Sequence, residues 1–158
     1  MSFAAWSIAL SVTDLRSRRL SNRMLIAATA STLPLLAASG FAMLFAGESP
    51  QWIAGERIPA RPLLDSLGVA SAFGIGFALL WKWFPVGLGG GDVKLAPLAG
   101  AAIGFAGGWW AALFGLVIAF GAAAAWGLAI RNRRHPHRRT VPFAPCLLSG
   151  AWMAILVL

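Results

Sequence analysis

The stretch Gly87-Leu88-Gly89-Gly90-Gly91-Asp92-Val93-Lys94-Leu95 separates two strongly apolar segments, and its reading decides how the rest of the chain is divided. Glycine tolerates backbone conformations closed to other residues and lets another chain approach closely. Four glycines in five positions therefore predict exposed, irregular backbone that ends where a helix begins. Asp92 would sit at the mouth of that helix, where a carboxylate taken alone reads as a cap accepting backbone N–H bonds. Its setting calls for a second reading, because acidic residues are scarce and the flanking segments are almost free of charge.

The 158 residues are 59% hydrophobic and 11% charged, and the mean hydropathy is +0.75. A soluble domain of this size is far less apolar, so the composition predicts an integral membrane protein. A net charge of +8 would point to nucleic acid in a soluble protein. Here the basic residues cluster between apolar segments and read as topology determinants and contacts to anionic lipid headgroups, so no nucleic-acid partner is expected. The single cysteine, Cys146, excludes an intrachain disulfide and a cysteine-rich zinc site, and its apolar neighbours predict a packed thiol without a chemical role.

Upstream of the glycine cluster, residues 66–84 make a full apolar span that Pro85 stops, with Trp81 and Trp83 at a headgroup boundary. Before it, residues 47–65 form a polar connection that holds Glu48, Glu56, Asp65, Arg57 and Arg61 together with three prolines, and a solvated loop is expected there. Residues 24–46 carry no charge and are long enough to cross a membrane. Residues 3–13 are apolar but short, ending at Thr13-Asp14 and a basic run of Arg16, Arg18, Arg19 and Arg23. No cleavage pattern follows them, so this first helix is expected to stay in the protein.

Downstream, residues 93–106 form a second short apolar segment, in which Gly100, Gly104 and Gly108 recur every fourth residue and share one face, a signature of close helix packing in membranes. Residues 109–130 make a further span ended by Arg131, Arg133, Arg134, His135, His137, Arg138 and Arg139. The histidines read as part of a solvated basic loop, not as metal ligands. Residues 141–158 close the chain, with Pro142 suited to a first helical turn. The expected fold is thus all-α: a polytopic membrane helix bundle of about six transmembrane helices, two of them short, in a single membrane-embedded domain over 1–158.

With the N-terminus outside, the segments 14–23, 82–94 and 131–139 all face the cytoplasm and hold every basic residue except Arg57 and Arg61, as the positive-inside rule requires. The same topology leaves Asp14 and Asp92 as the only carboxylates on the cytoplasmic face, each beside one of the two short segments. Asp14 taken alone would be a juxtamembrane residue paired with Arg18. Two carboxylates at one leaflet of a small bundle instead mark a functional site. Brought together, they resist ionising at once, so one keeps a proton while the other stays charged. An acid and a base then coexist at one pH, which suits water attack on a peptide carbonyl with no metal and no cofactor.

Over essentially its whole length the chain resembles the type IV prepilin peptidase family of membrane aspartic proteases, and in particular its short peptidase-only members associated with Flp-type pili. One family aspartate stands in a pattern like D-x-R-x-x-x-I-P-N, matched by Asp14-Leu15-Arg16-Ser17-Arg18-Arg19-Leu20-Ser21-Asn22, with Leu20-Ser21 in place of Ile-Pro. The other stands in a GxGDxKL motif, matched by Gly89-Gly90-Gly91-Asp92-Val93-Lys94-Leu95. Val141-Pro142-Phe143-Ala144-Pro145 resembles the family's Pro-rich opening of the last helix, with Ala144 where glycine is common.

The resemblance implies Asp14 and Asp92 as catalytic residues and Gly89, Gly90, Gly91 and Lys94 as the active-site loop. It implies cleavage of the basic leader from prepilin or pseudopilin precursors after a glycine, at the cytoplasmic face of the inner membrane, beside pilus or secretion assembly proteins. Larger members carry a cysteine-rich region and N-methylate the new pilin terminus; without those cysteines, cleavage without methylation is expected. A small carboxylate-dependent transporter and a non-catalytic pilus-assembly scaffold are the alternatives.

Overall fold

In hydrocarbon every backbone N–H and C=O must be satisfied within the chain, and long uncharged stretches meet that demand as helices. The computed structural model describes residues 2–17, 22–46, 61–84, 89–131 and 143–157, and all of these except Phe84 and Gly89 are helical. The elements are α1 (Ser2–Ser17), α2 (Asn22–Ala46), α3 (Arg61–Trp83), α4 (Gly90–Arg131) and α5 (Phe143–Val157). Among the described residues, three helices are long and apolar enough to cross a membrane, over Asn22–Phe45, Arg61–Trp83 and Gly90–Ala129. Residues 18–21, 47–60, 85–88 and 132–142, which hold parts of the expected connections with both histidines, Glu48, Glu56 and Pro85, as well as Pro142, lie outside the described residues.

Five helices stand where six segments were expected, because the segments 93–106 and 109–130 are both carried by α4. A straight helix of its 42 residues would run about 63 Å, twice the thickness of a hydrocarbon core. It is not straight. Gly108 adopts φ 64° and ψ −152°, a conformation that side-chain-bearing residues rarely take. Before this break the chain passes α3 from Val69 back to Asp65, as Gly100 and then Gly104 meet it; after the break it passes from Gly68 at Trp109 to Phe77 at Phe120. The direction along α3 has reversed, so α4 is two arms folded back at Gly108.

The expected glycine face is the surface on which α3 and α4 meet. A Cβ on Gly100 would lie 2.9 Å from the Val69 carbonyl oxygen, and one on Gly104 would lie 2.6 Å from the Asp65 carbonyl oxygen and 2.9 Å from Ser66 Cα. Main chain therefore touches main chain, and the Ser66 hydroxyl adds a buried hydrogen bond to the Ala101 carbonyl at 2.9 Å. The second arm repeats the device against α5, where Gly115 and Gly150 face each other. Phe73, Phe77, Phe120 and Phe143 then join α3, α4 and α5, with ring centroids 5.4 to 6.2 Å apart along the series. Association inside a membrane relies on such packing, since lipid tails are as apolar as leucine. Many large apolar side chains accordingly point outward, as Phe45, Trp110 and Val117 do, while others such as Leu10 and Ile103 fill the interior.

The boundary of α3 corrects one expectation. Arg61 and Asp65 belong to its first turns instead of a solvated loop, and they form an i,i+4 ion pair at 3.8 Å. Pro62 is no obstacle, because the first turn of a helix has N–H groups to spare. Likewise α1 continues through Asp14 to Ser17, and it lies antiparallel to α2, with the Trp6 indole N–H donating to Ser31 Oγ at 2.7 Å and the Thr13 hydroxyl near Met24 Sδ at 3.8 Å.

Gly104→Ala is expected to lower stability by about 1–3 kcal/mol, the usual consequence of overpacking. Gly121→Ala, where a Cβ meets nothing within 4 Å, should be neutral or stabilising by up to about 1 kcal/mol. Thermal melting of both variants in detergent checks this, and equal melting points would contradict the backbone contact between α3 and α4.

Candidate active site

One end of the bundle gathers the last turn of α1 and the first turns of α2, α4 and α5. Asp14 and Asp92 both lie there and both are buried, at 7% exposure each. They are close enough for their carboxylates to interact electrostatically. Apolar side chains form the floor: Leu10 lies one turn before Asp14 and Leu95 follows Asp92, and both are fully buried. In that setting an aspartate is held by its helix and screened little by water.

The local sequence explains how Asp92 is placed. Gly89 lies just outside α4, and its carbonyl accepts the Asp92 N–H at 3.0 Å and the Val93 N–H at 3.4 Å. In return the Gly89 N–H donates to Asp92 Oδ2 at 3.3 Å, a reciprocal cap in which a short carboxylate takes the place of the usual glutamate. The capping role expected of a lone aspartate is thus present, and it engages one carboxylate oxygen while Asp14 lies within electrostatic reach. A Cβ on Gly89 would stand 3.2 Å from that oxygen, so a bare backbone suits the position.

The glycine cluster itself differs from expectation. Gly90 and Gly91 are the first helical residues of α4, and Gly89 is the one described glycine of the cluster outside regular helix. The reason is the cap, which starts the helix as soon as Gly89 and Asp92 pair. Gly90 remains exposed with open space where a Cβ would be, so close approach of another chain is still permitted there.

Lys94 joins the two motifs. Its ammonium donates to Asn22 Oδ1 at 2.8 Å, which ties the residue that ends the Asp14 motif to the one that follows Asp92. Sequence reasoning quoted both residues without bringing them together. It also missed the neighbourhood of Cys146, which is buried in the first turns of α5 within electrostatic reach of both aspartates. The signal for that placement was the charge pattern, which puts the basic segment 131–139 on the same side as Asp14 and Asp92.

A multi-pass helical membrane protein with two carboxylates buried at one end of the bundle is the class that fold and site define. The sequence model of the type IV leader peptidase family matches residues 1–128, which include both aspartates, and the chain belongs to that family of membrane peptidases. No curated protein and no solved structure matches the chain.

The cap and the carboxylate pair separate in a stability measurement. Asp92→Asn keeps an oxygen for the Gly89 N–H and removes a buried ionisable group that interacts unfavourably with Asp14, so it should melt at or above the wild type. Asp92→Ala loses the cap and should melt lower than Asp92→Asn, by about 1 kcal/mol of stability. Identical melting of the two variants would remove the Gly89 bond from this account.

Proposed function

We propose that the protein is an aspartic endopeptidase that removes the basic leader from type IV prepilins or pseudopilins, of the Flp type, cutting after a glycine at the cytoplasmic face of the inner membrane. The observation that carries this reading is the buried Asp14 and Asp92 pair in a chain of the leader peptidase family. Asp14 and Asp92 are the catalytic residues. Gly89, Gly90 and Gly91 admit the substrate main chain, and Lys94 orders the site through Asn22.

Two neighbouring carboxylates share a proton more readily than they carry two charges. The ionised one takes a proton from a water molecule as its oxygen attacks the scissile carbonyl carbon. The protonated one donates to the carbonyl oxygen, where negative charge develops. Collapse of the tetrahedral intermediate breaks the C–N bond, and the leaving nitrogen collects the proton held by the base. Water is consumed, a carboxyl and an amine are formed, and the pair returns to its starting protonation.

A glycine before the cut suits this site. A helix must open before a carboxylate can reach its peptide bond, and glycine weakens a helix by about 1 kcal/mol relative to alanine. About six crossings with the N-terminus outside follow from the positive-inside pattern and from the two arms of α4. Cleavage without N-methylation follows from the lack of a cysteine-rich region in a chain with one cysteine.

The test is a gel-shift assay of a prepilin co-expressed with the wild type, Asp14→Asn or Asp92→Asn, at matched membrane levels. The wild type should shorten the precursor, and either substitution should slow processing at least about 100-fold, the lower end of what a positioned acid or base contributes. Processing that survives both substitutions would exclude the two-carboxylate mechanism. A scaffold would leave the precursor uncut in every case.

A further inference from the structure

Asp92 stands in a turn that its own helix holds weakly. Ahead of it, Gly90 and Gly91 open α4 without side chains to pack, and a Cβ on Gly90 would meet nothing within 4 Å. Behind it, Pro97 lies inside the helix and has no N–H for the Val93 carbonyl, so the bond that would tie this turn to the next is missing. The glycine contacts that seat α4 on α3, at Gly100 and Gly104, lie beyond Pro97. The Gly89 cap belongs to the turn itself and moves with it, so it does not set where the turn stands relative to Asp14.

A directional contact from another helix does reach this turn, where Lys94 Nζ donates to Asn22 Oδ1 at 2.8 Å. Residues two apart on a helix point about 200° from each other, so Lys94 leaves α4 on roughly the opposite side from Asp92. Asn22 opens α2, two residues before Met24, whose sulfur lies beside the Thr13 hydroxyl, next in the chain to Asp14. Trp6 and Ser31 hold α1 to α2 further along. The bond therefore joins the two helices that place Asp14 to the turn that places Asp92. Both partners are exposed, where a hydrogen bond adds little to the stability of the whole fold, so its effect is local.

We infer, on the peptidase reading above, that Asn22 and Lys94 are positioning residues for the hydrolysis: their bond fixes the rotation of the Asp92 turn and so keeps its carboxyl group on the Asp14 side. Neither side chain touches the reacting atoms. An acid and a base must meet one water molecule and one carbonyl within hydrogen-bond reach, and a small misplacement of either is costly. A turn free to rotate therefore lowers kcat and leaves binding of the precursor unchanged.

The experiment compares Asn22→Leu and Lys94→Met, which keep side-chain size and lose the acceptor or the donor, with Asn22→Asp and Lys94→Arg, which retain them. Full-length protein in detergent is assayed for kcat and KM on a purified prepilin, for melting temperature, and for backbone hydrogen exchange by mass spectrometry. Asn22→Leu, Lys94→Met and their double variant should each lose about 10- to 100-fold in kcat with KM unchanged, the double no worse than the singles because one bond is lost in all three. Asn22→Asp and Lys94→Arg should recover much of that loss. Exchange should quicken over residues 90–96 and stay as in the wild type over 98–106. Unchanged exchange over 90–96 overturns the inference, whatever the kinetics show. A rise in KM in place of the fall in kcat, a loss in Lys94→Met that Asn22→Leu does not share, or a rate lost in step with the melting temperature overturns it as well. Asn22→Ala replaces Asn22→Leu should the latter fail to accumulate. Wild-type protein that leaves the precursor uncut overturns the peptidase reading separately, and the exchange comparison still decides whether the bond holds the turn.

Discussion

Main-chain contact between α3 and α4 is the constraint on which the other parts of this structure rest. Gly100 and Gly104 bring the two backbones together where any side chain would hold them apart. That contact sets the depth and the rotation of the first arm of α4, and with them the side of the bundle to which Asp92 turns. Hydrophobicity alone fixes neither, since a leucine gains little by leaving lipid for protein. Shape does fix them, and the Ser66 to Ala101 hydrogen bond reinforces the register.

The reversal at Gly108 follows from the same contact. The first arm follows α3 as far as its first turns, where Gly104 and Gly108 meet Asp65, and there the chain turns back along the same helix. A positive φ permits the turn, and the Asp65 carboxylate oxygen stands 2.9 Å from where a Gly108 Cβ would be, so two reasons keep that position bare. The returning arm supplies Phe120 and Gly115 to α5 and holds the start of α5, with Cys146, within electrostatic reach of the carboxylates. A bend at the far end of the bundle thus helps to close the site at the near end.

Burial of two acids so near each other is unfavourable unless their helices are held independently. Asp14 is carried by α1, which is tied to α2 through Trp6 and Ser31. Asp92 is carried by α4, which is tied to α3 by the glycine face and to α2 by Lys94 and Asn22. Neither aspartate relies on the other for its place. Such an arrangement keeps the two buried carboxyl groups at one end of the bundle although their burial is unfavourable.

Much of this was legible in order along the chain. Uncharged stretches gave helices, the four-residue glycine spacing gave a packing face, and the scarcity of acids singled out Asp14 and Asp92, because each of these is a local or periodic property that one strand of text displays. The start of α3 was not legible, since Arg61 and Asp65 look like loop residues until Gly104 is found against them. Nor was the helical state of Gly90 and Gly91, which depends on a reciprocal cap between Gly89 and Asp92. The sequence by itself determined the helical class and the apolar spans of a membrane protein, and it drew attention to the two aspartates that the structure buries. Only the tertiary structure decided that α4 folds back at Gly108, that Lys94 reaches Asn22 and that Cys146 comes within electrostatic reach of the aspartates, because distances between residues far apart in the chain are set by packing, which no local pattern records.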